Sequence, residues 1–106
     1  MSTLSDQEFR VKGDDALERA RLALLPLADA HEFEVELQAG ILNVLFEEPR
    51  ESKFVISPNA PVRQIWVSAM SRSFKLAWDP DRSLFALNGE ALPDLLVRLS
   101  REFLEG

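Results

Sequence analysis

The 106-residue chain contains no cysteine, so disulfides, thiolate catalysis and sulfur ligation of zinc or iron–sulfur clusters are excluded within it. Histidine occurs once, as His31, and no nucleophile-elbow glycine pattern accompanies it, which leaves a serine triad without its parts. The four glycines form no phosphate-cradling loop. Long apolar runs are missing as well: the longest uncharged one, Leu22 to Ala28 ("LALLPLA"), is far short of the ~20 residues of a membrane span. The opening "MSTLSDQEF" has neither a basic flank nor an apolar core, so no secretory leader is expected. Together these absences predict a soluble, cytoplasmic protein that is not an enzyme and has no membrane partner.

What is present is acid. Eighteen Asp and Glu stand against twelve Lys and Arg, for a net charge of −6, a balance that disfavours nucleic acid as a partner. The excess lies in the first half, where residues 1–51 carry 12 acids and 5 bases; residues 52–106 carry 6 and 7.

Periodicity divides the chain into elements. Phe9, Gly13, Ala16, Leu17, Ala20, Leu24 and Leu27 recur at helical spacing behind a Ser5 or Asp6 cap, and Pro26 predicts that this helix ends near Leu25. "EFEVELQ" (32–38) then alternates as a half-buried strand, with Phe33, Val35 and Leu37 inward and Glu32, Glu34 and Glu36 outward. Gly40 turns the chain into "ILNVLF", where Leu42, Val44 and Phe46 face inward and Asn43 outward. "KFVIS", "PVRQIWVSAM", "RSFKLAW" and "LFAL" follow as further strands, the last two joined by the turn chemistry of Asp79-Pro80-Asp81. Leu92, Leu95, Leu96, Leu99 and Phe103 form the stripe of a closing helix that tolerates Pro93 in its first turn. The predicted fold is a single α+β domain over 1–106, a two-layer sandwich with both helices on one face of a roughly six-stranded antiparallel sheet.

In "PVRQIWVSAM" strict alternation puts Arg63, Ile65, Val67 and Ala69 on one face and Val62, Gln64, Trp66 and Ser68 on the other. Two helices suffice to cover only the first. Trp66 is therefore expected on an uncovered face beside Gln64, with Lys75 and the weaker candidate Asn43 also pointing outward, a composition suited to protein docking. Trp78 shares the parity of Phe74 and Leu76 and reads as core.

"PVRQIWVSAM", followed by "FKLAW" and "NGEALPDLL" and preceded by "GILNVLF", resembles the frataxin family, including its bacterial CyaY-type members, over roughly Ser5 to Leu104. The most specific piece is Gln64-Ile65-Trp66. The resemblance implies an α-β-α sandwich that binds ferrous or ferric iron weakly at an acidic ridge. It also implies docking, as a monomer, on the cysteine desulfurase and scaffold complex that builds iron–sulfur clusters. The ridge maps here onto Asp14, Asp15 and Glu18 on the helix and Asp29, Glu32, Glu34 and Glu36 after it, with "RARLALLPLADA" poor in acid between them. A second family tryptophan falls at or next to Ser83.

Read on their own chemistry, Glu32, Glu34 and Glu36 present oxygen ligands for a hard cation at ~6.7 Å intervals, twice the strand rise, which favours a weak, exposed site over a compact chelate. The same three residues also fit a charged, solvated face. Glu47, Glu48 and Glu51, flanked by Arg50 and Lys53, read as a solvated turn, and His31 as a surface residue able to lend one imidazole. An alternative function is a metal-independent acidic protein-binding module, such as a dimeric secretion-type chaperone.

Overall fold

The computed structural model describes residues 4–106. The first helix, α1, begins with a capping box: Ser5 Oγ accepts from the Glu8 backbone N–H at 3.1 Å, and the Glu8 carboxylate accepts from the Ser5 N–H at 2.9 Å. Two orphan donors of the first turn are thereby satisfied. The helix runs Asp6–His31, straight through Pro26, and so corrects the expected end near Leu25. Proline at this position deprives the Leu22 carbonyl of its helical donor. Leu22 and Pro26 both lie on the exposed side, where water substitutes, while Leu24 and Ala28 are buried one turn apart on the other side. Packing of that inner stripe outweighs the local break. Replacing Pro26 with Ala is expected to raise stability by about 1 kcal/mol, because the recovered helical bond exceeds the loss of unfolded-state restriction; chemical denaturation reads it directly.

At the end of α1, Glu32 takes a left-handed conformation (φ 58°) and its N–H returns to the Ala28 carbonyl, as does that of Phe33 at 3.2 Å. Glu32 is thus a helix cap and not the first residue of a strand, although its alternation with Phe33 and Glu34 fits one. Phe33 is buried and the strand β1 is Glu34–Gln38.

Six more strands follow: β2 Ile41–Phe46, β3 Ser52–Asn59, β4 Gln64–Ala69, β5 Arg72–Asp79, β6 Leu84–Leu87 and β7 Glu90–Ala91. They pair antiparallel in strict chain order, β1 to β7, in one sheet. The count is seven, one more than expected, because β7 is two residues long and carries no period to read. The β1–β2 and β6–β7 hairpins turn at Ala39-Gly40 (φ 55°, 77°) and Asn88-Gly89 (φ 53°, 83°), pairs of left-handed residues whose twist matches that of the strands. Between β3 and β4, Ala60–Val62 is a 3₁₀ turn closed by a left-handed Arg63. Arg63, like Val62 before it, therefore lies outside the strand, against the expectation that it shares the face of Ile65. Its guanidinium holds the Leu4 carbonyl at 2.9 Å and contacts the Ala60 carbonyl and Asp6, tying the start of α1 to this turn.

The closing helix α2, Leu92–Glu105, has Pro93 in its first turn and buries Leu92, Leu95, Leu96, Leu99 and Phe103. Both helices cover one face of the sheet. Against them lie Leu42, Val44, Phe46, Phe54, Ile56, Ile65, Val67, Leu76 and Phe85, all buried. Phe46 is a hub, with ring centroids 4.7 Å from Phe33, 5.0 Å from Phe54 and 4.5 Å from Phe103. Trp78 packs edge-on to Phe85 at 5.1 Å and joins the core, in line with its parity.

An ionic network fastens α2 to the sheet. Arg98 bonds both Glu90 oxygens at 2.9 Å and Glu102 at 2.7 Å, and Glu102 also accepts from Arg72 on β5 at 3.2 Å. The Arg98 hydrogen bonds hold the Glu90 carboxyl below its ordinary value of 4.5. Since the folded value is the depressed one, this contribution is complete above about pH 4.5 and is lost as pH falls through the folded value. Glu90→Gln is expected to cost about 0.5 kcal/mol at pH 7 and to flatten the acid limb of stability against pH. Denaturation midpoints from pH 3 to pH 7 test both effects.

Candidate functional site: an uncovered sheet face

Alternation on β4 gives the site its shape. Ile65, Val67 and Ala69 are buried under the helices, and Gln64, Trp66 and Ser68 emerge on the other face. Trp66 is 37% exposed, a high value for a side chain of this size in a central strand. Its indole is held on two sides. The Nε1–H donates to Gln64 Oε1 at 2.9 Å, and the Lys75 ammonium stands 4.9 Å from the ring centroid. Lys75 occupies the register position opposite Trp66 on β5, and Ser57 the one opposite on β3. With its polar edge bonded and its ring next to a cation, the indole is fixed in place before any partner arrives.

The structure thus brings together Gln64, Trp66 and Lys75. Asn43 lies on the same face but two strands away, about 10 Å laterally at ordinary strand spacing, where it pairs with Val55 on one side and Glu36 on the other. It does not join the trio. Ile41, 38% exposed at the start of β2, adds an apolar contact on this face that the sequence reading misses. Its parity, opposite to that of Leu42 and Val44, is the signal that could have found it.

The acids are arranged differently. Asp14, Asp15 and Glu18 sit in the first half of α1, and Asp29 and Glu32 at its end. The 15 residues from Asp14 to Asp29 span about 22 Å of helix. Two of the first group are already engaged: Asp15 with Arg19 at 2.7 Å, and Glu18 with both Nε and Nη2 of Arg21 at 2.9 and 2.6 Å. Arg21 lowers the Glu18 carboxyl below the ordinary glutamate value through those hydrogen bonds. Glu34 and Glu36 are exposed on β1, at the sheet edge, opposite Leu45 and Asn43. Among the described residues no three His, Asp or Glu side chains converge in a metal-holding group. The donor set does not fit a compact iron centre.

Two helices stacked on one face of an antiparallel meander, with an indole pinned on the other, define an open-faced α+β sandwich that presents a surface on its aromatic side. The frataxin-like domain family matches residues 2–105, and the chain belongs to the frataxin family, of the CyaY type. It is 30% identical over 94 residues to the iron-sulfur cluster assembly protein CyaY of Cupriavidus pinatubonensis, spanning 87% of this chain and 83% of that protein. The CyaY of Pseudomonas aeruginosa is 35% identical over 74 residues, covering 70% and 66% of the two chains. Among solved structures, the frataxin of Psychromonas ingrahamii superimposes with a TM-score of 0.63 over 96% of this chain and 90% of that one. At 14% identity that likeness concerns the fold. No helix among the described residues is long and apolar enough to cross a membrane.

Proposed function

We propose that this protein is a non-enzymatic accessory factor of iron–sulfur cluster assembly, which docks through its open sheet face on a cysteine desulfurase and scaffold complex and modulates it. The observation that carries the reading is the solvent-facing Trp66, immobilised by Gln64 and Lys75 at the centre of a face that neither helix covers. Rigid aromatic anchors of this kind dominate protein interfaces. The names of the relatives, iron-sulfur cluster assembly proteins, supply the process.

Iron, in this reading, is bound weakly and from solvent, by carboxylates near the end of α1 and the β1 edge. There the negative pole of the helix meets Asp29, Glu32, Glu34 and Glu36, so the local field attracts cations without a closed cage. Asp15 and Glu18 are less available because their arginine partners compete for the same oxygens. Changing Glu32, Glu34 and Glu36 together to Gln is expected to abolish ferrous and ferric binding, followed by calorimetric titration, with the fold retained. Unchanged affinity would move the iron contact to Asp14 and its neighbours or to His31.

A capture experiment with the desulfurase and scaffold of the same organism tests the docking: a complex of the monomer, lost on substitution of Trp66, supports it. The engaged acids on α1 and the lack of a converging acid group among the described residues favour one second reading, a metal-independent protein-binding module of the dimeric chaperone kind. An iron-indifferent dimer that ignores the desulfurase would establish that reading instead.

A further inference from the structure

On the opposite side of the molecule from Trp66's open face, where α1 passes the start of α2, the surface is indented by a groove of about 520 Å³. Its floor is apolar and largely aromatic: Trp78, Leu84, Phe85 and Leu92. Its rim carries three cations, Lys12, Arg19 and Arg82, against one carboxylate, Asp15, an excess that is unexpected in a chain of net charge −6. Lys12 from α1 stands 5.8 Å from the Trp78 ring centroid, and Arg82 from the β5–β6 turn donates to the Gly89 carbonyl at 2.8 Å. Neither Lys12 nor Arg82 has a carboxylate ion-pair partner among the described residues, whereas Arg19, also on the rim, is paired with Asp15.

We infer that this groove binds a small organic anion, with a planar apolar body against Trp78 and Leu84 and a phosphate or carboxylate between Lys12 and Arg82. Three features converge on that ligand class. The volume is that of a small-molecule site and too small for a folded partner. The apolar floor rewards a flat hydrophobic body, and two unpaired cations on the rim select negative charge. The N-terminal end of α2 adds a weaker element: Ala91 at its cap position provides no side-chain acceptor, and Pro93 has no N–H to donate, so the favourable field there is that of the helix dipole, offset in part by Asp94 in the same turn. The Asp79 carboxylate, which accepts from the backbone N–H groups of Asp81 and Arg82 at 3.0 and 3.3 Å, fixes the turn that carries Arg82.

The test uses the full chain carrying Trp66→Phe, which leaves Trp78 as the sole tryptophan of a protein without tyrosine. Its fluorescence is followed on addition of adenosine monophosphate, a phosphate on a planar ring system, and of benzoate, a carboxylate on one. Inorganic phosphate serves as the charge-only probe, adenosine and benzamide as ring-only probes. At least one ring-bearing anion is expected to change Trp78 emission saturably below about 1 mM, with the charge-only and ring-only probes at least about tenfold weaker. Which of the two anions binds more tightly separates phosphate from carboxylate recognition. Lys12→Ala with Arg82→Gln should weaken binding about tenfold or more, and Lys12→Ala alone, which leaves the Arg82 turn intact, by a smaller factor. Absence of saturation with both ring-bearing anions, or affinity unchanged in both variants, overturns the inference. Desulfurase capture, measured with Lys12→Ala and Arg82→Gln placed in the chain that retains Trp66, is expected to be unchanged, which separates this groove from the open face.

Discussion

Trp66→Ala is expected to leave the protein folded within about 1 kcal/mol of the parent while weakening the proposed desulfurase complex by about 2 kcal/mol or more, roughly thirtyfold in Kd. The small stability cost follows from what the indole touches. It lies outside the buried cluster beneath the helices, and its truncation removes one exposed hydrogen bond to Gln64 and one exposed cation–π interaction with Lys75. The large binding cost follows from pre-organisation, since a ring already held by its neighbours loses little freedom when its exposed part docks. Gln64→Ala should reproduce the loss in part by releasing the ring. Lys75→Glu should reproduce it with a dependence on salt that the alanine variants lack. Titration calorimetry for the complex and urea denaturation for the free protein read the two quantities separately. A fall in stability on the ~3–5 kcal/mol scale of a buried tryptophan would mean that the indole is core, and the docking role would go with it.

Phe46→Ala is expected to have the opposite signature, a loss of about 3–5 kcal/mol of stability with no direct effect on the open sheet face. Phe46 connects three parts of the fold through Phe33 after α1, Phe54 on β3 and Phe103 near the end of α2, so its removal leaves a cavity bordered by all three. These neighbours come from elements whose positions are set by many other interactions, and collapse around the void is correspondingly restricted. Thermal and urea unfolding should register the change as a lower midpoint. Phe46→Leu, which keeps most of the volume, should recover a large part of it.

The contrast between these two substitutions is visible in the sequence because alternation distinguishes the two faces of a half-covered sheet. Phe46 keeps the parity of Leu42 and Val44, and Trp66 breaks that of Ile65 and Val67. Elements that obey one period over five or more residues are legible for this reason, as are the cap at Ser5 and the apolar stripe of α2. Besides Arg63, whose left-handed backbone sets it outside β4, three features escape. β7 is too short to have a period. The passage of α1 through Pro26 depends on tertiary burial of Leu24 and Ala28, which no local rule about proline contains. Glu32 fits an alternating pattern only because its neighbours do, and its left-handed backbone assigns it to the helix end. At the candidate site, the membership of Gln64, Trp66 and Lys75 follows from parity, but the hydrogen bond that aims the indole at Gln64 does not. The pairing of Asp15 with Arg19 and of Glu18 with Arg21 is implicit in their i,i+4 and i,i+3 spacing.

The order of the strands gives the acids of β1 another meaning. A meander from β1 to β7 has two free edges, and each is a template on which a second chain could add a strand. β7, at two residues, is too short to serve. β1 is long enough, and Glu34 and Glu36 are the charges that a copy arriving in register would have to lay against its own. Like charges at such an edge are a general guard against self-association into extended sheets, whatever these carboxylates do for a metal. A cation that neutralised them would relax that guard, so the iron binding proposed above is expected to be coupled to polymerisation at this edge. Light scattering during an iron titration should rise in the parent, and a Glu34→Gln, Glu36→Gln variant should scatter without any iron.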